Sequence, residues 1–162
     1  WDRLVLTPME LVGAMKPTLI LFGVLFLLNA VGLGHYGLPD AAAWLGAVIA
    51  GCVLTPVLLP WIPGRAFSFK GFLLGLLWAG GMLLLAGLVP PMPVEGWLKA
   101  IAYLLVLPSV SAFTAMNFTG SSTFTSMSGV DREMRIALPA MLIATAAGAI
   151  LLLVRDFILL VR

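Results

Sequence analysis

Charge is what this sequence has least of. Asp, Glu, Lys and Arg together make up 10% of its 162 residues, where a soluble domain carries about 25%. The nine basic and seven acidic side chains leave a net charge of +2. So few charges form no basic stripe, and nucleic acid is excluded as a partner. There is one cysteine, Cys52, and one histidine, His35. A single thiol excludes an internal disulfide, and the pair falls short of the three or four ligands of a zinc-type centre. The chain opens on Trp1 with no charged n-region and no small-residue cleavage site. It therefore reads as part of a longer protein, with any catalytic domain upstream.

What remains is overwhelmingly apolar: 62% of the residues are hydrophobic and mean hydropathy is +1.13. No globular packing hides that much apolar surface from water, so lipid is the solvent for most of the chain. Five apolar runs cover about 17–34, 41–62, 71–89, 96–116 and 136–154, the last able to continue to Val161. Each approaches the ~20 residues that cross a hydrocarbon core about 30 Å thick. Only hydrogen-bonded helices or closed barrels satisfy a backbone in lipid, and the absence of period-2 alternation rules out the barrel. The expected fold is all-α, a polytopic membrane bundle of five transmembrane helices. Residues 1–16 form a linker and a short N-terminal interfacial helix, with Thr7 as cap, Pro8 in the first turn and Glu10 closing a capping box. Pro17 is expected to end that helix just after Lys16.

Basic residues set the orientation. Arg3, Lys16, Arg65, Lys70, Arg132 and Arg135 fall on one side, and Lys99, Arg155 and Arg162 on the other. This predicts a cytoplasmic N-terminus and an outside C-terminus, in the cytoplasmic (inner) membrane. Small residues supply close helix contacts: Ala42, Gly46 and Ala50 in the second span, Gly75, Gly80, Gly81 and Gly87 along the third, and Ala140, Ala144 and Gly148 in the fifth.

One polar segment stands apart, Asn117 to Met134, joining spans four and five on the predicted cytoplasmic face. Seven hydroxyl side chains lie between Thr119 and Ser128, interleaved with Phe118 and Phe124. Ser128 is a candidate cap of the last helix, and Asp131 and Glu133 suit its positive end. Two readings are open. Hydroxyls and glycines satisfy backbone groups at a membrane boundary, or Asn117, Thr119, Ser121, Ser122, Thr123, Thr125 and Ser126 form a cofactor-binding or domain-docking surface. The length of the segment favours the second, because a plain turn needs only a few residues.

The run Ala115 to Ser126, with Ser128-Gly129-Val130 and Glu133-Met134, resembles the membrane domain of the HgcA family of mercury-methylation corrinoid proteins. The opening Arg3 to Leu11 is similar to the junction where that family's soluble corrinoid domain enters its membrane part. The resemblance covers the whole chain, and its specificity rests on those two segments. It implies kinship with the corrinoid subunits of carbon monoxide dehydrogenase/acetyl-CoA synthase in anaerobes. It further implies a cobalamin (corrinoid) cofactor that carries a methyl group to inorganic mercury(II), and a ferredoxin-like 4Fe–4S partner, HgcB. The family's Asn-(Val/Ile)-Trp-Cys-Ala motif is absent, since Cys52 follows Gly51 within an apolar run. No catalytic residue carries over. The chain would be the membrane half alone, in contact with lipid and with its own N-terminal corrinoid domain.

Single residues carry weaker signals. Cys52 is a weak metal candidate, either a soft-metal relay or a small buried hydrophobe. Asn29 is expected to bond a neighbouring helix, and His35 and Tyr36 to sit at the outer interface. Trp44, Trp61, Trp78 and Trp97 read as belt or packing residues. The adjacent Arg155 and Asp156 are expected to be wet, with the membrane ending near Val154. The competing function is a transporter or conduit for a metal or small solute, which would require polar groups along the spans.

Overall fold

The computed structural model describes residues 2–32, 34–62, 66–88, 90–121 and 127–161, with side chains left out at 2–11, 17, 118–121 and 127–132. Among the described residues every regular element is helical: α1 (Asp2–Ala30), α2 (Leu38–Ile49), a π-helical turn (Ala50–Leu54), α3 (Thr55–Leu58), α4 (Phe67–Leu85), α5 (Val94–Ser121) and α6 (Met127–Val161). Five stretches are long and apolar enough to cross a membrane: Val12–Ala30, Leu38–Leu58, Phe67–Leu85, Val94–Asn117 and Glu133–Val161. The protein is a multi-pass helical bundle.

Three expectations need correction. The N-terminal helix does not end at Lys16, because α1 runs unbroken from Asp2 to Ala30 with Pro8 and Pro17 inside it. A proline deletes one helical hydrogen bond, yet in lipid the helix has no hydrated alternative, and nearby hydroxyls compensate. Here the Thr18 hydroxyl donates to the Ala14 carbonyl at 2.7 Å, beside the Gly13 carbonyl that Pro17 leaves without its helical donor. The Thr7–Glu10 box consequently falls inside a helix rather than at its start. Likewise α6 begins at Met127, which puts Ser128 in its first turn rather than ahead of it.

The second span is one crossing of mixed geometry. Pro56 has no N–H for the carbonyl four residues back, and the chain widens into the π-helical turn just before it. The Thr55 N–H and its hydroxyl both reach the Ala50 carbonyl, the hydroxyl at 2.9 Å. Thr55 and Pro56 are both fully buried.

Packing is uneven. α4 lies most extensively against α5, and α5 against α6, whereas α1 touches α2, the π-helical turn, α3 and α5 only lightly. Glycine explains the tight pair. A Cβ on Gly75 would stand 2.6 Å from Pro108 Cα, and one on Gly71 would stand 2.7 Å from the Ser111 carbonyl oxygen. The Ser111 hydroxyl donates to the Gly71 carbonyl at 2.8 Å, a second tie between α4 and α5. Gly46 meets the Trp78 ring and Gly148 meets Val106, but Gly80, Gly81 and Gly87 face open space. The small residues of the third span therefore serve packing only in its first half. Trp78 crosses from α4 to α2, donating to the Ala43 carbonyl at 2.9 Å.

Candidate functional site

The hydroxyl-rich segment lies mostly outside the described residues. That holds for Ser122, Thr123, Thr125 and Ser126, while Thr119 and Ser121 are described only as backbone in the last turn of α5. Asn117 is exposed at the same end and borders a cavity of about 390 Å³, shared with Gly13, Ala14 and Thr18 of α1 and Leu138 and Met141 of α6. The early part of α1 and the end of α5 thus meet at one end of the bundle. There Glu133, expected at the positive end of its own helix, serves α4 instead. Its Oε1 accepts from the Ser68 N–H at 2.7 Å, one of the donors left open in the first turn of α4. Lys70 is buried and donates to the Leu59 carbonyl at 2.7 Å, closing the end of the α3 helical stretch.

The opposite end holds a polar cluster that sequence reasoning missed. Asp40, in the first turn of α2, accepts from the Gly37 N–H at 2.9 Å through Oδ2. Its Oδ1 lies 2.8 Å from the Lys99 ammonium and also accepts from the Tyr103 hydroxyl. Lys99 and Tyr103 stand one turn apart on α5 with the ammonium 5.4 Å from the ring centre, a cation–π pair as well. Asp40, Lys99 and Tyr103 come together because α2 and α5 both start at this end.

Arg155 and Asp156 join the cluster, contrary to the wet pair expected. Both are buried, at 9% and 3% exposure, and Arg155 Nη1 donates to Asp156 Oδ1 at 3.2 Å. The helix α6 continues through them to Val161, within the candidate span Glu133–Val161, and packing inside the bundle covers both side chains. Asp156 Oδ2 is buried without a hydrogen-bond partner. Tyr36 lies beside it. Burial, reinforced by the Asp156 carboxylate, pushes the Tyr36 phenol well above its ordinary value of 10.0. Asn29 does not bond a neighbouring helix. Its amide clamps the connecting segment, donating to the Tyr36 carbonyl at 2.6 Å and accepting from the Tyr36 N–H at 3.0 Å.

A second cavity of about 260 Å³ opens on this cluster, bordered by Tyr36, Asp40 and Tyr103 and otherwise mostly by apolar side chains. Trp44 and Thr145 line both cavities. Trp44 Nε1 donates to the Thr18 hydroxyl at 3.3 Å at that junction. Nothing in these cavities assigns this chain a step at cobalt.

Cys52 lies within the π-helical turn, 1% exposed. Among the described residues no three His, Cys, Asp or Glu side chains stand together as a metal site. His35, Trp61 and Trp97 are exposed, Trp61 and Trp97 as interfacial belt residues would be. The signal that pointed to the missed cluster was the i, i+4 spacing of Lys99 and Tyr103 together with charges near span ends. Compared with family models, curated proteins and solved structures, the chain matches none.

Proposed function

We propose that this chain is the membrane anchor and docking platform of a corrinoid-dependent methyltransferase acting on inorganic mercury(II). The cobalamin would be carried by a domain preceding Trp1, and HgcB would restore the cobalt's reduced state. The observation that supports the reading is that Asn117, within the segment of closest resemblance, borders the same cavity as Gly13, Ala14 and Thr18 of α1. The six-to-three distribution of basic residues favours the cytoplasm for this end. Backbone amides and hydroxyls at the start of α6 suit a polar or anionic group on the docked domain.

The test replaces Thr123 and Thr125 with Val in the full-length protein, which removes two hydroxyls and keeps their shape. Methylation is expected to fall about tenfold, roughly 1.4 kcal/mol of barrier, with weakened cross-linking between the two domains. Wild-type methylation with unchanged cross-linking leaves the segment as a boundary turn.

A conduit is the second reading, favoured by one observation: two ion pairs, Asp40–Lys99 and Arg155–Asp156, buried inside spans. Ionisable groups within spans commonly mark a pathway. Both pairs sit at one end, and the only other polar side chains on the cavity walls among the described residues are uncharged ones such as Ser109, Thr114 and Thr145. Uptake of mercury(II) into proteoliposomes holding the full-length protein, abolished by Asp156→Asn, would favour the conduit over the platform.

A further inference from the structure

Helix α4 begins without a side-chain cap of its own. Ala66 precedes it with the extended backbone of a capping residue, φ −83° and ψ 130°, and its carbonyl accepts from the Lys70 N–H at 3.3 Å. Its methyl group offers no oxygen to the open N–H groups of the first turn. The missing acceptor comes from another helix. Glu133 Oε1, on α6, takes the N–H of buried Ser68 at 2.7 Å. Ser68 is the second residue of α4, where a cap at position 66 would itself bond.

That bond crosses a gap. The helix α6 packs on α5, and among the described residues α4 and α6 approach each other little. A groove of about 330 Å³ lies between them, with Phe69 and Phe72 on the α4 wall and Ala137, Ala140 and Ala144 on the α6 wall. The short side chains of α6 leave that width unfilled. On its other side α6 borders the cavity of about 390 Å³, and Met141 lines both. A close seat of α6 on α5 is found at Gly148, where a Cβ would collide with the Val106 side chain. Glu133 lies fifteen residues before it, or about 22 Å of helix rise. Between those two points α6 has open volume on both flanks, so a tie at its far end governs where its first turns stand.

We propose that Glu133 is the positioning residue of the hydroxyl-rich segment. By capping α4 from α6 it fixes the helix that follows Ser126, and with it the surface offered to the docked domain. This rests on the docking reading of that segment. Glu133 acts through α4 and does not itself touch the partner.

Capping and tying are separable, because position 66 can supply the cap instead. In the full-length protein, Glu133→Ala strips the Ser68 N–H of its acceptor, and adding Ala66→Asp returns one without joining α6. Spin labels on keto amino acids introduced at the exposed positions Leu77 of α4 and Ile136 of α6 read the separation of the two helices. Glu133→Ala should lower the thermal midpoint by roughly 2–4 °C and broaden the distribution of that distance. Interdomain cross-linking and methylation should fall about tenfold. Adding Ala66→Asp should restore the midpoint but neither the distance nor the docking, whereas Glu133→Gln, which keeps an acceptor, should preserve all of them. If Glu133→Ala does not fold, Ala66→Asp alone competes for the same N–H and should broaden the distance. A wild-type distance in whichever variant folds, or its recovery when Ala66→Asp is added to Glu133→Ala, reduces Glu133 to a cap and overturns the proposal. A broadened distance with undiminished cross-linking and methylation keeps the tie but overturns the docking reading and the part of Glu133 in it.

Discussion

The Lys99 ammonium stands 2.8 Å from the Asp40 carboxylate, tying the start of α5 to the start of α2 at one rim of the bundle. Each side chain is mostly buried, and removing one partner of such a pair strands the other, at about 3–5 kcal/mol. Lys99→Met is therefore expected to lower the thermal unfolding midpoint in detergent markedly. Adding Asp40→Asn should recover part of the loss. Additive losses in the double variant would show that the two residues act separately.

Gly75 and Gly80 lie on the same helix and should respond oppositely to a methyl group. A Cβ at Gly75 meets Pro108 Cα at 2.6 Å, while one at Gly80 meets nothing within 4 Å. Gly75→Ala is expected to destabilise by about 1–3 kcal/mol through overpacking. Gly80→Ala should be neutral or slightly stabilising, since alanine is the better helix former by up to ~1 kcal/mol. Guanidinium-free thermal melts of the two variants, side by side, give the comparison.

Tyr36 makes the alkaline limit of stability testable. Its phenol is held neutral by burial and by Asp156, so its folded value lies above the ordinary 10.0. A raised folded value contributes stability that is complete below the unfolded value and is lost as pH climbs from there towards the folded value. Unfolding midpoints should thus fall above pH ~10, and Tyr36→Phe should remove part of that fall. In an ultraviolet titration, Tyr36→Phe should remove a phenol that ionises later than a free one.

The alternation of helix ends predicts the labelling of introduced thiols. Trp61 and Val94 are 83% and 66% exposed; Trp61 lies in the second inter-helix region and Val94 opens α5 directly after the third, which five crossings put on opposite faces. In a Cys52→Ala background, Trp61→Cys should react with an impermeant maleimide only from the cytoplasmic side, and Val94→Cys only from the outside. Reaction of both from one side would refute five crossings, and a reversal of the two would refute the orientation.

The all-helical membrane architecture was legible because apolar runs of span length leave the backbone no other way to satisfy its hydrogen bonds in lipid. The number of crossings followed, whereas the last helix runs on past the expected border near Val154 to Val161. Proline was the misleading signal. In water Pro17 would end a helix, but in lipid the helix carries through it, with Thr18 bonded back to Ala14. The hydroxyl-rich segment was legible as composition only, since Ser122 to Ser126 lie outside the described residues.

Composition and periodicity, then, determined the solvent, the secondary structure and the approximate borders of each span, because those depend on local hydropathy. Only the tertiary structure decided that Asp40, Lys99, Tyr103, Arg155 and Asp156 converge with Tyr36 at one end, although up to 120 positions separate them along the chain. No local rule predicts that meeting. Charged side chains in an apolar helix are costly wherever they stand, and their partners are set by which helix starts lie side by side.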